Sequence, residues 1–353
     1  MFETFGFEEL TAPQAAVYFA LVIGAAFGAL AQITRFCFRR AIVGEDRRQA
    51  AGVWLTALAV AVLGTQAAVS AELITFADHR FMAADLPVLA IVAGGLLFGI
   101  GMVLTRGCVS RLTVLTGSGN LRAALVLVVF AVIAHATLKG VLAPVRTTLA
   151  QVTVPLETAT LPGSPLIWAA LIAVAALAFA LRSGNRIGAL LGAALIGALV
   201  PLAWVGTGYV LLDEFDPIAL ESLSFTAPAA DTLFWGIAST SISANFGVSL
   251  LGGVLVGALL AALIRGQFQW QSFETARQTG RYLTGAALMG VGGVLAGGCT
   301  VGAGLSGIPT LSISAILAIA SIAAGGWLAG WVLSASSSGS AAASTTPPLQ
   351  PAE

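Results

Sequence analysis

Charge is what this sequence has least of. Asp, Glu, Lys and Arg make up 9% of its 353 residues, against about 25% in soluble domains, while 58% are hydrophobic. That balance excludes an ordinary water-soluble globule and indicates a polytopic membrane protein. Basic and acidic residues number 16 each, so no basic surplus remains to hold DNA or RNA, and nucleic acid is excluded as a partner. Three cysteines and two histidines, with no CxxC and no Cys/His cluster at ligand spacing, argue against a metal site, a cofactor-bearing thiol cluster or a disulfide framework. No acidic residue falls deep inside an apolar stretch, which disfavours a carboxylate proton relay and an alkali-cation cage. No nucleotide-binding motif is visible either, so the source of energy is not written in the sequence. The residues before the first apolar stretch carry Glu3, Glu8 and Glu9 but no Lys or Arg, unlike a signal peptide, so that stretch is expected to be retained.

What is there in abundance is apolar length. A spanning helix needs about 20 apolar residues, and such stretches occur near 14–34, 51–71, 87–105, 121–142, 165–181, 187–212, 246–264, 282–298 and 311–333. Nine spans place the termini on opposite sides. With the first loop inside, Arg35, Arg39, Arg40, Arg47, Arg48, Arg106, Arg111, Arg122, Arg182, Arg186, Arg265, Arg277 and Arg281 are all cytoplasmic, leaving only Arg80, Lys139 and Arg146 outside. The positive-inside rule therefore predicts a bacterial inner-membrane protein with its N-terminus out and its C-terminus in. Trp54, Trp270, Trp327 and Trp331 suit interfacial anchoring. The acidic outer loop Asp213 to Ala244 contains DTLFWGIA, a candidate interfacial helix. The tail from Ser334 is small, polar and Pro-containing, a composition expected to stay disordered.

An internal match organises the chain. GGLLFGIGMVLTRGCV (Gly94 to Val109) aligns with GAALMGVGGVLAGGCT (Gly285 to Thr300), superposing four glycines and setting Cys108 on Cys299. GAAFGAL (from Gly24) matches GVLVGAL (from Gly253), although close small-residue packing accounts for those four glycines. The expected fold is all-α, with about nine transmembrane helices in two inverted-topology repeats and short re-entrant glycine-cysteine turns. Its expected divisions are 1–145 as first half, 146–245 as middle spans 5 and 6 with the acidic loop, 246–333 as second half and 334–353 as tail. Inverted repeats are common in transporters, with substrate at their interface.

The polar, glycine-containing runs after the cysteines, VSRLTVLTGSGN and TVGAGLSGIPT, mark the candidate turns and single out Gly107, Arg111, Asn120, Gly298, Gly302 and Gly304. Irregular backbone at membrane depth survives only around a cavity or inside protein. Cys37 lies at the inner end of the first span, beside Arg35 and Arg39. A thiol is a weak donor and a soft contact, so a file of Cys37, Cys108 and Cys299 suits an anion with soft sulfur, and helix N-termini add positive potential. A membrane-embedded thiol enzyme, a sulfurtransferase or disulfide oxidoreductase, is the alternative, though it needs an activated thiolate with a resolving partner. His135 lies within the fourth span and reads as a packing residue.

At TRFCF around Cys37, GMVLTRGCVSRLTVLTGSGNLR around Cys108, SFTAP in the outer loop and ALMGVGGVLAGGCTVGAGLSG around Cys299, the sequence resembles the YeeE/YedE family of sulfur-transport proteins, which includes thiosulfate uptake proteins. The resemblance implies a permease, not an enzyme, that passes thiosulfate or a related sulfur anion inward by successive hydrogen bonds to Cys37, Cys108 and Cys299. It also implies a cytoplasmic sulfur-carrier protein as a partner. Ala303 departs from relatives that carry Gln in a GCTxGQG-like run.

Overall fold

The computed structural model describes residues 10–213 and 215–342. The helices are, in chain order, α1 (Ala12–Thr34), α2 (Phe38–Val43), α3 (Arg47–Ser70), α4 (Val88–Leu104), α5 (Val109–Gly117), α6 (Leu121–Lys139), α7 (Ala143–Ala150), α8 (Pro165–Leu181), α9 (Ile187–Val205), α10 (Thr226–Ala238), α11 (Phe246–Ile264), α12 (Ala276–Leu295) and α13 (Ile313–Ala342). A two-residue antiparallel pair, β1 (Asp85–Leu86) with β2 (Val154–Pro155), is the sheet among the described residues. The protein is an all-α, multi-pass membrane protein.

Eight helical runs are long and apolar enough to cross a bilayer. The ninth expected span, α8, is a 17-residue apolar helix, about 26 Å at 1.5 Å per residue against a hydrocarbon core of about 30 Å. It buries Ala169, Ala173, Ala176 and Ala180, a stripe of small residues facing α3 at Ala59, and turns Leu166, Ile167, Leu171 and Val174 outward. Local signals set the helix starts. Thr11 and Gln14 form a capping box ahead of Pro13 in α1, and Asn120, Asn245 and Thr275 accept from the backbone N–H groups three residues on, removing one orphan donor each.

Glycines decide how the helices meet. Gly24 and Gly28 of α1 abut the backbone of Leu250 and Val254 in α11, and Gly253 and Gly257 abut Leu21 and Ala25 in return. Residue numbers rise together along both helices, so α1 and α11 run parallel. An inverted counterpart of α1 would run against it, so the GAAFGAL/GVLVGAL match is a packing motif shared by two touching helices and not an inverted repeat. By contrast α4 and α12 run antiparallel: Gly94 meets Gly292 and Ala296, while Gly101 meets Gly285. α9 also opposes α1, with Gly192 at Thr34 and Gly206 at Phe19, and lies parallel to α3, with Gly197 at Ala57 and Pro201 at Gly64.

The connections gather at two ends. At one, Arg48 donates to the carbonyl of Arg182, Asn185 to that of Gln49, and the 117–120 turn bonds to Gln269 and Gln271; this is the arginine-rich face. At the other, Leu156 bonds to Ala84, Leu161 to Leu311, Ile313 to Ala159, and Ser312 to the Phe81 carbonyl.

Two local expectations change, and others hold. Trp54, read as an interfacial anchor, is 5% exposed, because α2 folds over α3 and sets Phe38 against its ring at 4.9 Å. Trp270, Trp327 and Trp331 remain exposed. DTLFWGIA is helical within α10 and none of its residues is buried; the buried residues of that helix, Thr226, Pro228, Ala229 and Ala230, come before it. The chain expected to lose order at Ser334 continues as helix to Ala342, and the rest of that tail lies outside the described residues. His135 stacks on Phe234 with ring centroids 5.2 Å apart, a packing role.

Candidate functional site

All three cysteines occupy the same local construction, a helix broken and restarted. Two residues before each one the backbone turns left-handed: Arg35 (φ 53°), Arg106 (φ 61°) and Gly297 (φ 74°). This is a C-terminal cap, and at the first two breaks the next amide reaches back five residues, Phe36 to Ala31 and Gly107 to Met102, in the Schellman pattern. Each cysteine then opens a new helical segment as its N-cap: Cys37 before α2, Cys108 before α5, and Cys299 before the wide π-helical turn Thr300–Gly307. Two of the three left-handed residues are arginines, at which such a φ is strained. Gly107 and Gly298 therefore stand beside the left-handed residue and not at it.

The N-cap position aims each sulfur at an open helix N-terminus, where the partial positive charge of unpaired N–H groups collects. At Cys299 the sulfur accepts from the amide three residues on, that of Gly302, at 3.4 Å, whereas the Cys37 and Cys108 side chains hold the N-cap position without a capping hydrogen bond. The Phe225 and Val301 amides converge on Cys299 as well. Gly302 is small by necessity, since a Cβ there would press on the Ser224 hydroxyl at 3.0 Å, and one at Gly304 would press on Ile319 and Trp54.

The thiols are free and buried, with 4%, 1% and 0% exposure for Cys37, Cys108 and Cys299. They form a series. Cys37 and Cys108 are close enough to affect each other's charge, Cys108 meets the Ser110 hydroxyl at 3.2 Å, and Thr300, next to Cys299, lies near Cys108. Thr300 Oγ1 is buried and satisfied by no well-formed hydrogen bond, a costly state unless something polar visits.

A cavity adjoins each end of the series. The one at the arginine-rich face, about 340 Å³, is lined by Gln32, Arg35, Arg111, Ser118, Asn120 and Gln271 among others. Arg111 donates to the Ala31 carbonyl; Asn120 caps α6 and bonds to Gln271 at 2.8 Å; Gln32 Oε1 is buried without a partner. The structure thus brings Arg111 next to Cys108 and Cys37 and sets Asn120 further out, in the cavity wall. The cavity at the opposite face, about 1050 Å³, reaches down to Gly302 and Ser306 behind Cys299.

A family model described as sulphur transport matches residues 33–328. The chain belongs to that family. Two curated relatives span almost its whole length: the thiosulfate transporter TsuA of Escherichia coli strain K12, 27% identical over 345 residues (89% of this chain and 93% of the relative), and the thiosulfate transporter TsuA of Spirochaeta thermophila, 26% identical over 347 residues (90% and 99%). Both relatives are named for transport and neither for catalysis, in keeping with the non-enzymatic expectation. The matched region contains all three cysteines.

Sequence reasoning missed three parts of the site. That Cys37 sits at a break of the same kind as the other two was hidden, because an arginine holds the left-handed position where glycine would have signalled it. Thr300 was passed over beside Cys299. The wide cavity's His79, Arg80 and Glu221 come from loops with no pattern of their own.

Proposed function

We propose that this protein imports thiosulfate or a closely related sulfur anion across the bacterial inner membrane, handing it along Cys299, Cys108 and Cys37. The observation that carries the reading is the series of three buried thiols, each at a helix N-terminus, with a cavity at either end. An anion entering from the wide cavity meets the amides around Cys299, then the free Thr300 hydroxyl and Cys108, then Cys37 and the Arg111 guanidinium. Along the series soft S–H donors and N–H dipoles replace water, and the Arg111 guanidinium adds a fixed positive charge at its inner end. Thiosulfate matches such a lining, having hard oxygens for amides and a polarizable sulfur for thiols. The relatives' names point to the same substrate.

The orientation in this reading puts the arginine-rich face in the cytoplasm and the N-terminus outside, supported by thirteen of sixteen basic residues on that face. The architecture in this reading is an inverted repeat of α1–α6 with α9–α13, α7 and α8 being inserted between. Support comes from direction and pairing: α1 opposes α9, α4 opposes α12, the α1–α11 seam has its counterpart in the parallel α9–α3 seam, and α5 after Cys108 corresponds to the turn after Cys299. This moves the start of the second half from 246 to α9. The exposed Arg47, Arg48, Arg182, Arg186 and Arg277 fit docking of an acidic carrier that removes the sulfur inside. The adjacency of Cys37 and Cys108 is the one feature a disulfide-forming enzyme would also use. Proteoliposomes containing only this protein should accumulate sulfur-labelled thiosulfate above protein-free vesicles; no accumulation would refute the import reading.

A further inference from the structure

The wide cavity holds one permanent cation. Besides Arg80 its charged lining residues are Glu72, Asp78 and Glu221, with His79 as a further titratable group. Arg80 lines the cavity as a solvent-exposed residue, and the protein packed around its guanidinium works against its charge. It makes no ion pair among the described residues, and its guanidinium lies over the Phe81 ring at 5.0 Å. It stands within electrostatic reach of both Glu221 and Cys299.

The turn that carries Arg80 is built to hold it there. His79 Nδ1 accepts from the Phe81 amide, and the His79 ring packs on Trp204 and Phe76. The Phe81 carbonyl accepts from Ser312 at 2.8 Å and from Ser314 at 3.3 Å, both at the start of α13. The Phe81 ring also rests against Gly307, at the end of the π-helical turn that Cys299 opens. Arg80 is thus fixed to the same block of structure as the outermost thiol. Glu221 is anchored in turn, its amide and carbonyl both bonded to the Thr207 hydroxyl at 3.1 and 2.8 Å.

Resting on the import reading, we propose that Arg80 is the capture residue of the wide cavity: its guanidinium takes the oxygens of an incoming sulfur oxyanion and presents it to Cys299, in competition with the carboxylate of Glu221. The planar fork of an arginine suits an oxyanion's paired oxygens. A guanidinium in a cavity wall with no ion-pair partner among the described residues can exchange its water for an anion's oxygens. Glu221 keeps the site from holding its anion too tightly, since a conduction site must release as well as bind.

The test is initial uptake of sulfur-labelled thiosulfate by proteoliposomes across a concentration series, at low and high salt, for the unaltered protein, Arg80→Gln and Glu221→Gln. Arg80→Gln should raise the apparent KM about tenfold, more than it changes Vmax, as loss of one charge-assisted contact predicts. Glu221→Gln should lower KM. Raising salt should raise the KM of the unaltered protein more than that of Arg80→Gln, because screening has less left to act on. An Arg80→Gln protein with unaltered KM and salt response would overturn the proposal. If that variant does not reach the membrane, Glu221→Gln decides, and an unchanged or raised KM would overturn it. Absence of uptake by the unaltered protein would instead strike the import reading itself.

Discussion

The two cavities that flank the thiols differ in almost every respect. The one at the arginine-rich face is about a third the size of the other, carries Arg35 and Arg111 with no acid in its lining, and is walled by the amides of Gln32, Asn120, Gln267, Gln269 and Gln271. The opposite one is wide and carries three carboxylates against one arginine. In the import reading, an anion moving from Cys299 to Cys37 passes from a mouth lined by three carboxylates and one arginine to one lined by two arginines. Unequal charge at the two mouths, and N-terminal helix dipoles between them, would tune how tightly an anion is held at each stage, the gradient setting the direction of net flow.

The sharpest way to break this comparison is to remove a thiol from either side. Cys108→Ala and Cys299→Ala should each reduce thiosulfate uptake by about 10- to 100-fold, the value of one hydrogen bond to a charged group, while folded protein still reaches the membrane. Cys108 should be the worse loss, since it stands between Cys37 and Cys299 in the proposed series and bonds to Ser110. Cys108→Ser should rescue poorly because a hydroxyl is less polarizable. Normal uptake by both alanine variants at equal reconstitution would return these thiols to inert packing.

A smaller effect should come from the seam that shapes the narrow cavity. The ends of α1 and α11 supply Gln32, Arg35, Gly266 and Gln267 to its wall, and Gly28 lets α1 lie on the backbone of Val254. Gly28→Val should splay the pair and lower stability by about 1–3 kcal/mol, the usual cost of overpacking, read as a fall in melting temperature in detergent. Gly252, which has open space beside it, should accept Ala with a change of no more than about 0.5 kcal/mol. Equal melting temperatures for the two variants would show that the seam is not tightly packed.

The smallest expected effect lies on the wide side. Burial, and then the charge of Arg80, push His79 down to about 4. The unfolded chain, with an ordinary histidine near 6.5, binds the proton first, so native stability falls as pH drops from about 6.5 towards 4 and changes no further below that through this group. His79→Asn should flatten that part of the melting-temperature profile. An unchanged acid slope in His79→Asn would mean that the histidine is not held neutral by its surroundings.

How much of this was legible in the sequence depends on whether the signal was local. The glycine-cysteine runs at Cys108 and Cys299 announce helix breaks because Gly and polar residues there interrupt a long apolar run and weaken the helix at that point, and both breaks are present. The break at Cys37 carried no such mark, since Arg35 adopts a backbone region that its residue type rarely shows. Small residues four apart are a general packing device, the reading given to these four glycines from the sequence, and GAAFGAL and GVLVGAL do pack against each other in α1 and α11. Arg80 and Glu221 were invisible as a pair, being brought together only by the way the 71–87 loop folds against α13 and the 206–225 loop. Trp54 was misplaced for a related reason, its cover being a six-residue helix that no hydrophobic periodicity announces.

In the import reading proposed above, a file of thiols joins the two cavities and passes the anion on without forming a bond to it. Thiol–disulfide or persulfide chemistry would leave a transient adduct on a cysteine, whereas hydrogen-bond transfer leaves all three thiols free. Intact-mass analysis of protein quenched during active thiosulfate uptake tests this most directly. The account predicts the unmodified mass at every time point; a stoichiometric sulfur adduct on Cys37, Cys108 or Cys299 that forms and disappears in step with uptake would contradict it.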